Sequence, residues 1–284
     1  MSEEKQKFGL GDAELRVRRT VYASDGLAGR VVLASGGAGG IGRAVCWLAA
    51  RLGAHVIATG RKQDKLETLR AALADAGLSV DCRTTDVRAT DAVKQLMDGV
   101  WERHGRLDLL VNSAGGQFPM AALDVSEKGW KAVVDTNLNG TWNMMQAAGR
   151  RWRDGAQPGS IVNVVVVTQG LYGIAHSVAA RAGVIGLSRN LAVEWAQHGI
   201  RVNCVAPGAI ETEGWNVYTP EVRATYADTN PMRSVGDTWD VAESIVYLGG
   251  PSGRYVTGEV LHVAGGSQLW GETWTIPQPA YFRS

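Results

Sequence analysis

The stretch Val31–Gly42, which reads VVLASGGAGGIG, constrains the fold of this chain more than any other. Its first four residues form a short apolar run, which is typical of a buried parallel strand. The glycine loop Ser35–Gly42 follows directly, and an apolar-periodic helix is predicted over Arg43–Leu52. A strand, a glycine loop and a helix together present backbone N–H groups and a positive helix end to a pyrophosphate. A glycine-rich turn without a ligand is the alternative. The flanks favour a dinucleotide site formed by Ser35, Gly36, Gly40, Ile41 and Gly42.

Strands and helices alternate along the rest of the chain. The predicted strands are His55–Thr59, Ser79–Thr84, Leu107–Val111, Ser160–Val167, Arg201–Ala206 and Glu259–Val263. The predicted helices are Asp64–Ala76, Thr90–His104, Lys128–Trp152, Ser177–His198 and Thr238–Leu248. This alternation predicts an α/β fold, a Rossmann-like doubly wound parallel sheet with helices on both faces. Ligands of such sheets bind at the carboxyl ends of the strands.

The pattern predicts one dinucleotide-binding and catalytic domain over residues 27–284, preceded by an extension over residues 1–26. The extension contains a short basic helix within Asp12–Tyr22, and it is interpreted as a solvated tail or a subunit-interface arm. Residues 209–236 have mixed composition without a core period, which predicts a mobile lid with Trp215 and Tyr218 facing the substrate. An aromatic tail follows over residues 264–284.

Composition excludes several classes of function. The formal net charge is +1, so the chain is not predicted to bind nucleic acid or an anionic membrane. Cys46, Cys82 and Cys204 are odd in number and far apart, which argues against disulfides and metal sites and predicts a reducing cytoplasm. No apolar run approaches the length of a membrane span, and the polar start MSEEKQK does not resemble a signal peptide.

A basic pair stands where the second predicted strand ends. In NAD-specific sites of this type, an acid near this point binds the adenosine ribose. Here the position carries Arg61 and Lys62, with Arg43 expected nearby, and a guanidinium can grip a 2′-phosphate through two hydrogen bonds. The alternative is an ordinary exposed basic pair opening a helix. The sequence therefore predicts NADPH rather than NADH as the cofactor.

Spaced motifs over residues 27–267 resemble the short-chain dehydrogenase/reductase family. They are Ser35–Gly42, Asn112–Gly115, Asn137, Arg201–Gly208 and Val256–Gly258. The resemblance implies a nicotinamide cofactor and a homotetramer or dimer, and small residues on Lys128–Trp152 and Ser177–His198 would allow the helices to pack between subunits. It also implies adenine-side contacts at Asp86, Val87, Asn112, Ala114 and Gly115, and nicotinamide contacts at Pro207, Gly208, Ile210 and Thr212.

The predicted catalytic centre departs from the ordinary family pattern. The family's Tyr-x-x-x-Lys pair falls on Ser177 and Arg181, and its catalytic serine falls near Val165 or Val166. Asn137 alone is kept, as a polar residue in an apolar helix that needs partners such as a water or a kinked backbone. The usual phenol acid is therefore missing. Arg181 can hold the cofactor ribose, but it cannot serve as a proton donor of tuned pKa.

This departure resembles the peroxisomal trans-2-enoyl-CoA reductases, the dienoyl-CoA reductases and bacterial proteins assigned to citronellol breakdown. The resemblance is carried by Ser113–Pro119, Gly129-Trp130, Asn137–Thr141 and Ala175–Val184. It implies hydride transfer to Cβ of a 2-enoyl-CoA or related enone, with charge developing on the thioester oxygen. Ser177 is expected to donate to that oxygen. Tyr172 and His176 are candidate proton donors, with packing and structural hydrogen bonding as their alternatives.

Two other functions stay open from the sequence. One is an NADP(H)-dependent alcohol/ketone oxidoreductase acting on an apolar, terpenoid-like substrate, with Tyr172 replacing the missing tyrosine. The other is a cofactor-binding subunit without catalysis. For both enzymatic functions, the predicted partner is a small apolar molecule or an acyl-CoA.

Overall fold

The computed structural model describes residues 7–280, and a parallel sheet forms the centre of that range. The seven strands of this sheet run in the order β3-β2-β1-β4-β5-β7-β8, so the strand order reverses between β1 and β4. Their bounds are Val31–Ser35 (β1), His55–Gly60 (β2), Val80–Thr84 (β3), Leu109–Asn112 (β4), Gly159–Val164 (β5), Ile200–Pro207 (β7) and Val260–Val263 (β8). A separate two-stranded sheet joins β6 (Leu171–Tyr172) to β9 (Thr273–Trp274).

Helices cover both faces of the large sheet. They are α1 (Asp12–Val17), α2 (Gly40–Arg51), α3 (Gln63–Asp75), α4 (Thr90–His104), α5 (Glu127–Val134), α6 (Gly140–Asp154), α7 (Ala175–Glu194), α8 (Pro220–Ala224) and α9 (Thr238–Gly249). Val32 and Ala34 of β1 face the core formed with α2, α3 and α9, whereas Val31 and Leu33 face the core formed with α4, α6 and α7. Both faces of β1 are therefore buried, which explains its unbroken apolar run. The predicted Rossmann-like doubly wound sheet is confirmed.

One predicted helix is interrupted. The range Lys128–Trp152 was expected to be continuous, but a π-helical turn over Asp135–Asn139 separates α5 from α6. The N–H of Gly140 donates to the carbonyl of Asp135, five residues back. This extra residue in the turn is the kink that a buried polar side chain at Asn137 requires, and Asn137 is 1% exposed.

The described part of the N-terminal extension packs on the domain. Leu15 of α1 is 1% exposed and belongs to the core that contains α2 and α9. Asp12 forms an ion pair with Arg43 and accepts a hydrogen bond from Trp47 at 2.8 Å. This segment therefore packs on the domain and is not a solvated tail. Its Asp12 pairs with the Arg43 side chain that the sequence predicts near the 2′-phosphate. None of the described helices has the length and apolarity needed to cross a bilayer.

Candidate active site

The loop between β1 and α2 is built to bring backbone close to a ligand. Gly36 has φ +70°, and a Cβ there would lie 2.8 Å from the amide nitrogen of Ala114. A Cβ on Gly42 would overlap the carbonyl of Gly36. No side chain caps α2 at Gly39, so the first N–H groups of the helix point outward without a side-chain acceptor. This free, positive helix end fits the pyrophosphate of a dinucleotide.

A cleft of about 480 Å³ runs from this loop across the carboxyl edge of the sheet. Ten of the predicted cofactor-binding residues line it: Gly36, Gly40, Ile41, Arg61, Asp86, Val87, Ala114, Gly115, Arg181 and Thr212. The predicted catalytic residue Asn137 lines it as well. Ser35 and Asn112 lie beneath it, where Ser35 Oγ accepts from the Ala114 N–H at 3.3 Å and Asn112 Nδ2 donates to Asn163 at 2.8 Å. Gly42 is buried behind the loop, and Pro207, Gly208 and Ile210 line a second cavity instead.

The adenosine end of the cleft is basic. Arg61 is exposed at the rim and makes no hydrogen bond or ion pair with the residues that the structure describes. Its charge contributes to lowering the pKa of Asp86, although the main cause is the hydrogen bond from Arg88. Lys65, by contrast, is paired with Glu213 at 2.5 Å. Arg61 is thus a cation on the cleft that remains available to an anionic ligand.

A hydrogen-bonded cluster stands at the other end of the cleft. Asn137 Nδ2 donates to the carbonyl of Gly116 at 3.0 Å and to Ser177 Oγ at 3.3 Å, and Asn137 Oδ1 accepts from the Gly116 N–H at 3.0 Å. Ser177 Oγ donates to Gln117 Oε1 at 2.9 Å. Gln117 Nε2 in turn donates to the hydroxyl of Tyr218 at 2.6 Å.

Ser177 lies in the first turn of α7, beneath the cleft rather than in its wall. It is 1% exposed and lines neither cavity, because Gln117 lies between it and the open space. Its single hydroxyl proton is already donated to Gln117. In this arrangement the Ser177 hydroxyl is linked to the two cavities through the Gln117 carboxamide, and its direct donation to a substrate oxygen stays a prediction.

Arg181 is a buried cation at the junction, the name used below for the hydrogen-bonded cluster of Asn137, Ser177, Gln117 and Tyr218 together with Arg181. It is 7% exposed, and its Nη1 donates to the carbonyl of Val164 at 2.7 Å. No carboxylate among the described residues forms an ion pair with it. Burial lowers the pKa of Arg181 to about 10, so the guanidinium stays charged at neutral pH. A Cβ on Gly115 would overlap its Nη2 atom, so the glycine makes room for this charge beside the cleft.

The structure places the two candidate proton donors outside the lining of the cleft and of the second cavity described below. His176 is fully buried, its Nδ1 accepts from the Ser177 N–H at 2.7 Å, and its ring meets Phe118 edge-on with centroids 4.3 Å apart. Burial lowers its pKa, so the ring is neutral at neutral pH. The Tyr172 ring stacks on Trp274 and lines neither cavity. Neither group faces the site.

A second, apolar cavity of about 340 Å³ joins the cleft along a boundary of shared lining residues: Ile41, Gly116, Gln117, Val164, Val166, Thr212 and Gly214. Its walls include Val164, the last residue of β5, and the three residues that follow it, 165–167, which the sequence predicts as part of the same strand. Trp215, Tyr218 and Tyr226 close it from the 209–236 segment, and their rings pack edge to face. The C-terminal segment covers another side where β9 pairs with β6.

Sequence reasoning identified most of the cleft but missed two residues of the junction. Gln117 was noted only within a motif, and Tyr218 only as a lid aromatic. Their side chains meet although they are 101 positions apart in the chain. The sequence offers one signal for this pair: Tyr218 lies in the predicted lid, and the catalytic centre below lacks the family's tyrosine.

Comparisons with known proteins agree with this geometry. A family model described as enoyl-(acyl carrier protein) reductase matches residues 36–268. A probable 2,4-dienoyl-CoA reductase of Bacillus subtilis is 36% identical over 246 residues, covering 84% of this chain and 97% of that protein. A peroxisomal 2,4-dienoyl-CoA reductase of Arabidopsis thaliana is 35% identical over 262 residues, covering 88% and 87%. The solved structure of a citronellol catabolism dehydrogenase of Pseudomonas aeruginosa superposes with a TM-score of 0.78 at 33% identity, covering 88% and 99%.

Proposed function

The chain belongs to the short-chain dehydrogenase/reductase family of oxidoreductases, and from this premise we propose that it uses NADPH to reduce the C=C bond of a 2-enoyl-CoA or related enone. The observation that carries this proposal is the junction itself. Where ordinary members place a tyrosine and a lysine, this chain holds Ser177 beneath Gln117, beside the buried cation Arg181.

The chemistry at such a junction suits a conjugated double bond. Conjugate reduction needs a polar environment for the charge that develops on the thioester oxygen, and a proton for Cα. Arg181 supplies fixed positive charge beside the cleft, and Asn137 holds the Gly116 backbone and Ser177 in place. The adjoining apolar cavity suits the acyl chain of the substrate.

The cofactor proposal rests on contacts along the cleft. The N–H groups at the start of α2 would hold the pyrophosphate, Arg61 the 2′-phosphate, and Asp86 and Val87 the adenine. Arg181 would hold the nicotinamide ribose. When bound there, the reduced nicotinamide supplies a hydride to the substrate.

A second candidate function has its own support. The citronellol catabolism dehydrogenase is similar in fold and sequence, and the cavity wall carries a phenol, Tyr218, that can act on a carbonyl. The alternative is therefore oxidation or reduction of an apolar, terpenoid-like alcohol or ketone. Tyr172, the phenol first considered for that role, lies outside the cavity.

A substrate panel tests the two functions against each other. The purified protein is mixed with NADPH and crotonyl-CoA, a longer 2-enoyl-CoA or an apolar ketone, or with NADP⁺ and an apolar alcohol, and absorbance of the reduced nicotinamide is followed. Rapid oxidation with the enoyl thioesters alone supports the proposal. Turnover of the alcohol and ketone alone refutes it in favour of the second candidate.

We also propose a homotetramer, or failing that a dimer, assembled through α6 and α7. These helices carry Ala147, Gly183 and Gly186, and a Cβ placed on Gly186 would meet no atom within 4 Å from other elements of residues 7–280. Small residues let helices from two subunits approach closely. Light scattering at micromolar concentration tests the assembly, and a monomer would contradict it.

A further inference from the structure

A chain of three hydrogen bonds, all with the same direction, ends at a free phenol proton. Asn137 Nδ2 donates to Ser177 Oγ, Ser177 Oγ donates to Gln117 Oε1, and Gln117 Nε2 donates to Tyr218 Oη. The last bond uses the Tyr218 oxygen as an acceptor. No group within residues 7–280 accepts the hydrogen of the Tyr218 hydroxyl, so that hydrogen is available to a ligand.

The position of this hydroxyl suits a role in the reaction. Tyr218 lines the apolar cavity, and its partner Gln117 lines both that cavity and the cofactor cleft. The reacting carbon of a substrate must lie where the two spaces meet, because hydride crosses from one to the other. The phenol oxygen is 2.6 Å from the nitrogen of Gln117, which is one of the residues on the boundary between the two spaces. Burial raises the pKa of Tyr218, which keeps the phenol protonated at neutral pH.

We infer that Tyr218 is the acid of this enzyme and that Gln117 is the residue that positions it; the inference rests on the proposed function. One C–H bond forms at Cβ with the transferred hydride, the C=C π bond breaks, and its electron pair moves into the enolate of the thioester. The Tyr218 O–H bond then breaks while a C–H bond forms at Cα, and the phenolate regains a proton from water. The sum is an enoyl thioester, reduced nicotinamide and one proton giving a saturated thioester and oxidised nicotinamide.

Gln117 suits this role because a carboxamide both accepts and donates. It accepts the Ser177 proton and donates to Tyr218, which leaves the phenol hydrogen for the substrate. A carboxylate of the same shape only accepts. In Gln117→Glu both neighbours would donate to the carboxylate, so the Tyr218 hydrogen would be held by the protein.

The test compares Tyr218→Phe with Tyr172→Phe, which removes the hydroxyl of a phenol that lines neither cavity. We expect kcat with a 2-enoyl-CoA to fall about a hundredfold to ten-thousandfold in Tyr218→Phe, the range for loss of a general acid. The dissociation constant for NADPH, measured by fluorescence, stays at the wild-type value. The solvent deuterium isotope effect on kcat rises, because water must then protonate Cα. Gln117→Glu loses kcat to a similar extent, and Tyr172→Phe keeps wild-type values.

The outcomes separate this inference from the proposed function. If the wild type reduces ketones but no enoyl thioester, the proposed function fails, and the same variants measured on the ketone still decide the role of Tyr218. A Tyr218→Phe protein with wild-type kcat on the substrate that the wild type uses refutes Tyr218 as the acid. Loss of NADPH binding in that variant also refutes it, since the residue would then be structural. A wild type that turns over neither class refutes both.

Discussion

Arg61 offers a sharp test of cofactor choice, because its removal disturbs little else. The side chain is exposed and makes no hydrogen bond or ion pair with the described residues, so Arg61→Ala breaks no contact that holds the fold. The effect on binding is then the loss of its contact with the 2′-phosphate. A hydrogen bond to a charged group contributes about 1.5–3 kcal/mol. Exposure to solvent and salt at the rim argues for the lower end, about a tenfold rise in the dissociation constant for NADPH.

The assay is fluorescence titration of NADPH and NADH at two salt concentrations. We expect Arg61→Ala to weaken NADPH and leave NADH nearly unchanged, and we expect the NADPH deficit to shrink at high salt. Arg43→Ala is the matched control, because that guanidinium is held by Asp12 and should not distinguish the two cofactors. An equal loss for both cofactors in Arg61→Ala would refute the reasoning and make Arg61 a structural residue.

Two further predictions concern the junction and the N-terminal segment. Ser177→Ala should cut turnover about a hundredfold by steady-state assay while cofactor affinity holds, because Gln117 loses the donor that fixes its orientation. Unchanged turnover would show that Gln117 needs no such support. Leu15→Ala should lower the free energy of unfolding by about 2–5 kcal/mol in urea, because Leu15 is 1% exposed. The exposed neighbour change Val17→Ala should stay within about 0.5 kcal/mol, and equal effects would contradict the docking of α1.

The sheet and the cofactor cleft could be read from the sequence because local patterns determine them. The apolar run and the glycines of Val31–Gly42 place a strand, a tight loop and a helix start in order, and parallel strands bring their carboxyl ends to one edge. Ten predicted cofactor residues consequently line one cleft. Thr90–His104 even has the predicted bounds, since its apolar period continues up to a left-handed glycine at Gly105.

The junction could not be read in the same way, because it depends on distant partners. Residues 209–236 show no hydrophobic periodicity. The contact between Tyr218 and Gln117 therefore depends on tertiary structure that the local sequence does not encode. The only sequence signal for the π-helical turn at Asn137 is a polar residue in an otherwise apolar helix. Tyr172 lies nearer in sequence to Ser177 than Tyr218 does, yet its ring packs on Trp274 of the C-terminal segment and does not line the cavity, whereas Tyr218 lines it.

The buried His176 and the partly buried His104 give the protein a pH dependence of stability whose sign can be derived. Burial lowers the pKa of His176 in the folded state, whereas the unfolded chain has the ordinary value of about 6.5. Between these values the unfolded state binds more protons, so the free energy of unfolding falls as pH falls below about 6.5 and levels off below the folded pKa. His104 adds to the same trend, because burial and the nearby His55 lower its pKa as well.

Urea unfolding of the wild type at pH 7.5 and at pH 5 measures the loss of unfolding free energy. We expect His176→Gln to lose less stability over this interval than the wild type, while the exposed His262→Gln behaves like the wild type. An equal loss in His176→Gln and wild type would show that His176 charges without cost, and the backbone hydrogen bonds at Ile174 and Phe118, which raise its pKa, would then fully offset its burial.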